Sequence, residues 1–211
     1  MRIEIFSDTI CPWCFIGKRR LERALAMRPD VPVEIHWRAY QLNPWMPPEG
    51  MDRAQYLAAK FGSADSARVY DTIAQVGLAQ GIEFRFDRIP RTPNTIDSHR
   101  LIRHAQAVGR QDEVVEALFT AYFLEGRNLG SRAELARIGA EAGLDEAETR
   151  RWLDSEADTD AVRHEDALAR RMGIQGVPCF IVDRKWAISG AQEPEYFMPL
   201  FDLATTREAA E

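Results

Sequence analysis

The sequence has no apolar run approaching the ~18–20 residues that a membrane-spanning helix needs. It also has no excess of positive charge: 27 basic against 33 acidic side chains leave a formal net charge of −6. The first absence removes a membrane span from the expected architecture. The second removes the basic footprint with which a chain grips nucleic acid or an anionic bilayer surface. Cysteine is scarce, with three residues among 211, and histidine nearly so, with four. A disulfide framework or a four-ligand zinc site therefore has little to build on. The opening Met1-Arg2-Ile3-Glu4-Ile5 lacks the features of a secretory leader, so a cytoplasmic location is expected.

What is present is 45% hydrophobic and 28% charged, the balance of a chain that can fill a core. Two of the three cysteines stand together in Ser7-Asp8-Thr9-Ile10-Cys11-Pro12-Trp13-Cys14. The apolar Ile3-Glu4-Ile5-Phe6 before them reads as a strand over 2–7. The periodic Phe15, Ile16, Leu21, Ala24, Leu25 after them read as a helix over 11–27. At such a junction Cys11 is the helix N-cap and Pro12 sits at the first helical position, where a missing N–H is no loss. The sulfur of Cys11 is then placed to accept from the free N–H groups of the first turn. With the helix dipole, that favours a thiolate. Thiolate is the nucleophile of disulfide exchange, so Cys11 is assigned as attacking thiol and Cys14 as resolving thiol. The competing use of Cys-x-x-Cys, half of a zinc site, requires two more ligands. Only Cys179 and the scattered His36, His99, His104 and His164 are on offer.

Residues 31–40 alternate as a second strand, with Val33, Ile35, Trp37 and Ala39 on one face, so strand, helix and strand form a parallel βαβ unit. A Pro-rich loop over 41–51 follows. From 52 to about 171 the pattern is helical. Asp52 with Gln55, Ser131 with Glu134 and Asp145 with Glu148 give capping-box starts. Helices are expected over 65–80, ending at Gly81, from an Asn94 cap to about 108, over 111–124 and over 158–171. The block is too long for a βα connection and reads as an insertion. Sheet signals return in Cys179-Phe180-Ile181-Val182 and Trp186-Ala187-Ile188, a hairpin turning at Asp183-Arg184. A last helix begins near Pro194, and residues 205–211 are expected to fray.

Taken in order, these pieces resemble the thioredoxin fold with a DsbA-type helical insertion, closest to the FrnE-like branch. The matching residues are the 7–14 stretch with Gly17, Pro93-Asn94-Thr95 with His99-Arg100, Gly176-Val177-Pro178, and Ser189-Gly190-Ala191-Gln192. The resemblance implies an α/β, thioredoxin-like domain of residues 1–50 plus 172–211 and an inserted all-helical domain of residues 51–171. It implies that Pro178 is cis and lies against Cys11 and Cys14, with Val177 offering its backbone to an extended substrate. Trp13 would lie exposed beside the thiol and help bind substrate. Cys179 departs from the apolar residue usual after that proline. Alternation turns it into the fold as a small buried hydrophobe, with a third reactive thiol as the sharper reading.

The implied activity is thiol–disulfide exchange on protein or small-molecule thiols and disulfides, by a monomer or homodimer. It needs no metal or organic cofactor, with glutathione the candidate co-substrate. The sequence is also similar to 2-hydroxychromene-2-carboxylate isomerases and kappa-class glutathione transferases, which typically carry serine where Cys11 stands. Under that reading Asn94 and Val177 are glutathione contacts. A redox-switched chaperone is a third reading.

Overall fold

The computed structural model describes residues 1–62 and 66–208. Strand β1 (Arg2–Ser7) runs into helix α1 (Pro12–Met27) and then strand β2 (Glu34–Ala39). The two strands pair in parallel, with Ile3 opposite Ile35 and Ile5 opposite Trp37. A short strand β3 (Met51–Asp52) leads into helices α2 (Arg53–Phe61) and α3 (Ser66–Leu78). A 3₁₀ turn at Phe86–Arg88 precedes strand β4 (Arg91–Thr92). Five helices follow: α4 (Ile96–Gln106), α5 (Gln111–Phe123), α6 (Arg132–Glu141), α7 (Glu146–Asp154) and α8 (Thr159–Arg171). Strands β5 (Cys179–Val182) and β6 (Trp186–Ser189) form the expected hairpin. A 3₁₀ turn at Pro194–Phe197 and helix α9 (Met198–Glu208) complete the described chain. The main sheet has the order β2-β1-β5-β6. Among the described residues, no helix is long and apolar enough to cross a membrane.

The local signals act as the side-chain chemistry dictates. Asp52, Ser131 and Asp145 each accept from the backbone N–H three residues on. Asp183 and Arg184 turn the hairpin with φ of +48° and +56°, the paired left-handed conformation that matches the twist of two antiparallel strands. Three expectations need correction. The N-cap of α4 is Thr95, not Asn94. Asn94 instead accepts the N–H of Ile96 two residues on, an Asx turn just outside the helix. The 51–171 stretch is not wholly helical, because β3 and β4 make a two-residue antiparallel ladder. Pro90 and Pro93 bracket β4, and a proline has no N–H to extend a ladder. At the chain end α9 runs on to Glu208, and residues 209–211 of the expected frayed tail lie outside the described residues, as does residue 65 at the start of the expected 65–80 helix.

One continuous apolar cluster includes Phe15 of α1, Phe180 of β5, Phe119 and Phe123 of α5 and Leu135 of α6. Phe15 stacks on Phe119 with ring centroids 5.1 Å apart and meets Phe84 edge-on at 6.1 Å. The helices also cover the free edge of β2. The Gln111 side chain takes the Trp37 N–H at 2.9 Å and donates to the Trp37 carbonyl at 3.2 Å, standing in for a neighbouring strand. Glu165 accepts from the Ala39 N–H and Asp166 from the Gln41 N–H. The edge is thereby closed by side chains rather than left as a template for another chain.

Arg100 fixes the turn between α7 and α8. It is fully buried, and its guanidinium donates to Asp97 and to the carbonyls of Trp152, Leu153, Ser155 and Ala157. Those five contacts match the five N–H donors that arginine carries. Arg100→Leu removes all five contacts at once, although Asp97 keeps Arg132 and the Trp152 carbonyl keeps Ser155. It is expected to lower unfolding free energy by about 3–5 kcal/mol, read as a fall in the urea midpoint, with Arg100→Lys recovering part of the loss.

Candidate active site

The site starts where β1 ends. The Asp8 carbonyl accepts the Cys11 N–H at 3.0 Å, turning the chain into α1. Cys11 is the N-cap, in extended conformation (φ −93°, ψ 110°), with Pro12 at the first helical position. The expected cap bond to the sulfur is not made. Instead the Cys14 N–H donates to the Cys11 carbonyl at 3.0 Å. The backbone so closes the first turn by itself, and the sulfur turns elsewhere: Cys11 Sγ donates to the Val177 carbonyl at 3.5 Å. The structure thus joins residues 166 positions apart in sequence.

Cys11 and Cys14 are present as thiols, 4% and 1% exposed. Burial pushes the Cys14 thiol well above the usual thiol range, and the adjoining Cys11 sulfur pushes it further. The Ser7 hydroxyl and the Asp8 backbone N–H, both facing the Cys14 sulfur, pull the other way and do not win. Cys14 is thus held protonated in the interior.

The Val177–Pro178 peptide bond is cis. The proline ring lies over α1 at Gly17, where a Cβ would meet Pro178 Cγ at 2.8 Å and Phe180 Cζ at 3.3 Å. Glycine at 17 is required by that approach, not by its own backbone angle. The Pro178 carbonyl accepts from Gly190 at 2.8 Å, which ties the loop to the end of β6. Trp13 stands outside the thiols, 36% exposed.

Two other candidates sit apart. The Asn94 side chain donates to the Met46 carbonyl at 2.6 Å and accepts from Ile96 at 3.0 Å, holding the 41–50 loop against the start of α4. Cys179 lies on the other face of the sheet. It packs with Phe6, Tyr40, Ala169, Ile174 and Ile181, whereas Cys11, Cys14 and Phe180 belong to the α1 side. Strand alternation imposes this separation. Burial raises the Cys179 thiol, with no other group acting on it.

Residues to which the sequence assigned no role join the loop before Cys11 to α4. Thr9 and Ser98 share a hydrogen bond at 2.8 Å, and the Asp8 carboxylate faces His99 Nε2 at 3.4 Å. Both contacts bind the loop before Cys11 to the first turns of α4. Asp8, Thr9 and His99 stand in the matching stretches of sequence, but nothing in the spacing pairs positions ninety residues apart.

Comparison with known proteins finds matches along most of the chain. The family described as DSBA-like thioredoxin domain matches residues 2–200. A probable DsbA oxidoreductase from Streptomyces coelicolor is 34% identical, with a TM-score of 0.88, covering 98% of this chain and 90% of its own. Two more distant structures share the fold. The cytosolic disulfide reductase DsbM of Pseudomonas aeruginosa is 17% identical with a TM-score of 0.69, each chain covered in full. A 2-hydroxychromene-2-carboxylate isomerase is 16% identical with a TM-score of 0.68, covering 99% of this chain and 96% of its own.

Two outcomes are expected from this geometry. Gly17→Ala forces a methyl against Pro178, costing about 1–3 kcal/mol of stability by overpacking, measured by thermal or urea unfolding. Under mild oxidation, peptide mapping should find one intramolecular disulfide, Cys11–Cys14, with Cys179 alkylated only after denaturation. A Cys179 disulfide peptide from folded protein contradicts the separation of faces.

Proposed function

Because the chain belongs to the DSBA-like thioredoxin domain family, we propose that it is a thiol–disulfide oxidoreductase working through Cys11 and Cys14. The observation that carries this reading is the meeting of Cys11 Sγ with the Val177 carbonyl at 3.5 Å, with the protonated Cys14 thiol behind it. The proton held on Cys14 assigns the first attack to Cys11. The Cys11 thiolate displaces one sulfur of a substrate disulfide and forms a mixed disulfide. Cys14 then attacks Cys11 Sγ, releasing the substrate thiolate and leaving a Cys11–Cys14 disulfide. Run backwards, the same steps oxidise a dithiol. The direction in the cell follows the potential of the pair against the compartment's poise.

Substrate binding falls to groups bordering Cys11. An extended chain laid beside Val177 would use backbone hydrogen bonds, as in strand addition, with Pro178 next to the sulfur and without an N–H of its own. The half-exposed Trp13 ring gives an apolar contact on the helix side. The DsbM structure solved with GSH makes glutathione a reasonable small-molecule partner for the same sulfur, and a reducing cytoplasm suits a catalytic rather than structural cysteine pair. The isomerase reading draws on fold likeness alone. The presence of both Cys11 and Cys14 favours redox exchange over it.

The test is dithiothreitol-driven reduction of insulin followed by turbidity. Wild type should shorten the lag, Cys11→Ser should return it to that of dithiothreitol alone, and Cys14→Ser should accumulate a mixed disulfide visible by mass spectrometry. A wild-type trace no faster than dithiothreitol alone overturns the reading.

A further inference from the structure

The main sheet has two faces, and the cysteine pair uses one of them. Alternation along β1 sends Ile3 and Ile5 into the cluster on the α1 side and turns Glu4 and Phe6 to the other. Register places Ile181 of β5 opposite Glu4 and Arg38 of β2 opposite Phe6. Helix α8 lies against this second face beside β2, where Glu165 and Asp166 take backbone N–H groups. Between α8 and the β5–β6 turn a groove of about 440 Å³ remains open, a size that suits a small molecule. Its apolar surface comes from Phe6, Ile181, Leu168 and Met172. Leu168 and Met172, four positions apart at the end of α8, are both exposed. They leave apolar surface at the mouth of a cavity, which an apolar ligand would remove from water.

The polar end of the groove is made by Glu4, Arg38, Glu165 and Arg184. Each of the two carboxylates is already shared between two guanidiniums. Glu4 Oε1 accepts from Arg2 at 3.1 Å and from Arg38 at 2.8 and 3.1 Å. Glu165 accepts from Arg38 at 3.3 Å, from Arg103 and, through Oε2, from the Ala39 N–H at 2.9 Å. The neighbouring Asp183 carboxylate takes the Arg2 N–H at 2.8 Å. Burial alone would raise the Glu4 carboxyl, yet Arg38, Arg2 and Arg184 together hold it below the usual range. Arg184 is the least neutralised cation of the set. Among the described residues its ion-pair partner is Glu4 Oε2 at 3.8 Å, and its side chain is 75% exposed. A planar fork of N–H donors at the rim of an apolar groove matches a carboxylate.

We propose that this groove binds a small carboxylic acid with an apolar tail. Arg184 holds the carboxylate, and the tail lies along Phe6, Ile181, Leu168 and Met172. The site is on the sheet face away from Cys11 and Cys14 and does not depend on their chemistry. Charge separates this ligand from its rivals. A neutral tail gains nothing from Arg184. A cation meets carboxylates whose charge the arginines already offset. A second copy of the chain would cover Leu168 and Met172 without calling on Arg184.

The chain carries six methionines, so methyl-¹³C labelling gives a simple NMR spectrum in which Met172→Leu identifies the Met172 signal. Octanoate should shift that signal saturably, with a dissociation constant of about 1 mM or below. The signal of Met27, at the end of α1 on the other face, should stay in place. Octan-1-ol and octylammonium should each bind about tenfold more weakly, the loss of one charge-assisted hydrogen bond. Arg184→Gln should weaken octanoate by the same factor and leave octan-1-ol unchanged, a pattern that a disturbed fold does not give. The proposal is overturned by an unmoved Met172 signal, by octan-1-ol or octylammonium binding as well as octanoate, or by Arg184→Gln binding octanoate like wild type. Light scattering that finds a dimer which Leu168→Glu converts to monomer also overturns it, because a second copy then covers the groove.

Discussion

One close approach holds the site together: the Pro178 ring against α1 at Gly17. With no Cβ on residue 17, the loop before β5 comes down onto the first turns of the helix, where any side chain would collide with Pro178 Cγ. That approach brings the Val177 carbonyl to the Cys11 sulfur. It also orders the sheet beneath, because β5 then lies antiparallel to β1 with Phe6 opposite Cys179. Close-packed interiors tolerate little change in such a contact, so the two sequence-distant parts of the site are fixed by one clearance.

The other wall of the site comes from α4. Thr9 to Ser98 and Asp8 to His99 tie the loop before Cys11 to that helix. The helix is held in turn by Arg100, whose buried guanidinium satisfies the carbonyls of the α7–α8 turn. The helices between β2 and β5 therefore do more than cover the sheet. They close the β2 edge through Gln111, Glu165 and Asp166, and they supply the polar groups that meet the loop before Cys11.

That placement gives the two cysteines different environments although they stand one helical turn apart. Cys11 looks toward a backbone carbonyl at the rim, with Trp13 beside it. Cys14 looks inward, where low polarity keeps its proton on. Under the proposed function, that asymmetry would order the chemistry: one thiol to engage substrate, the other to finish the exchange. Cys179 lies apart from both, because strand alternation sends it through the sheet to the opposite face.

Much of this was legible in the chain itself. The strand–Cys-Pro-Trp-Cys–helix junction, the Asp52, Ser131 and Asp145 caps and the Asp183-Arg184 turn all follow from neighbours within four residues, where hydrogen-bond reach and side-chain period are set by local geometry. A local signal misleads where it has a non-local or near-equivalent competitor. Asn94 is a good cap residue, but its amide is shared with the Met46 carbonyl and Thr95 takes the cap position. The Cys11 sulfur was expected to accept from its own helix and instead meets Val177. Sequence by itself determined which residues could do redox chemistry and on which elements they sit. Only the tertiary structure decided what each one faces: Cys11 the Val177 carbonyl, Cys14 the buried interior beside Asp8, Asp8 the imidazole of His99, Cys179 the far side of the sheet. Periodicity is a property of a few successive residues, whereas a contact across ninety or more positions exists only once the whole core has closed around it.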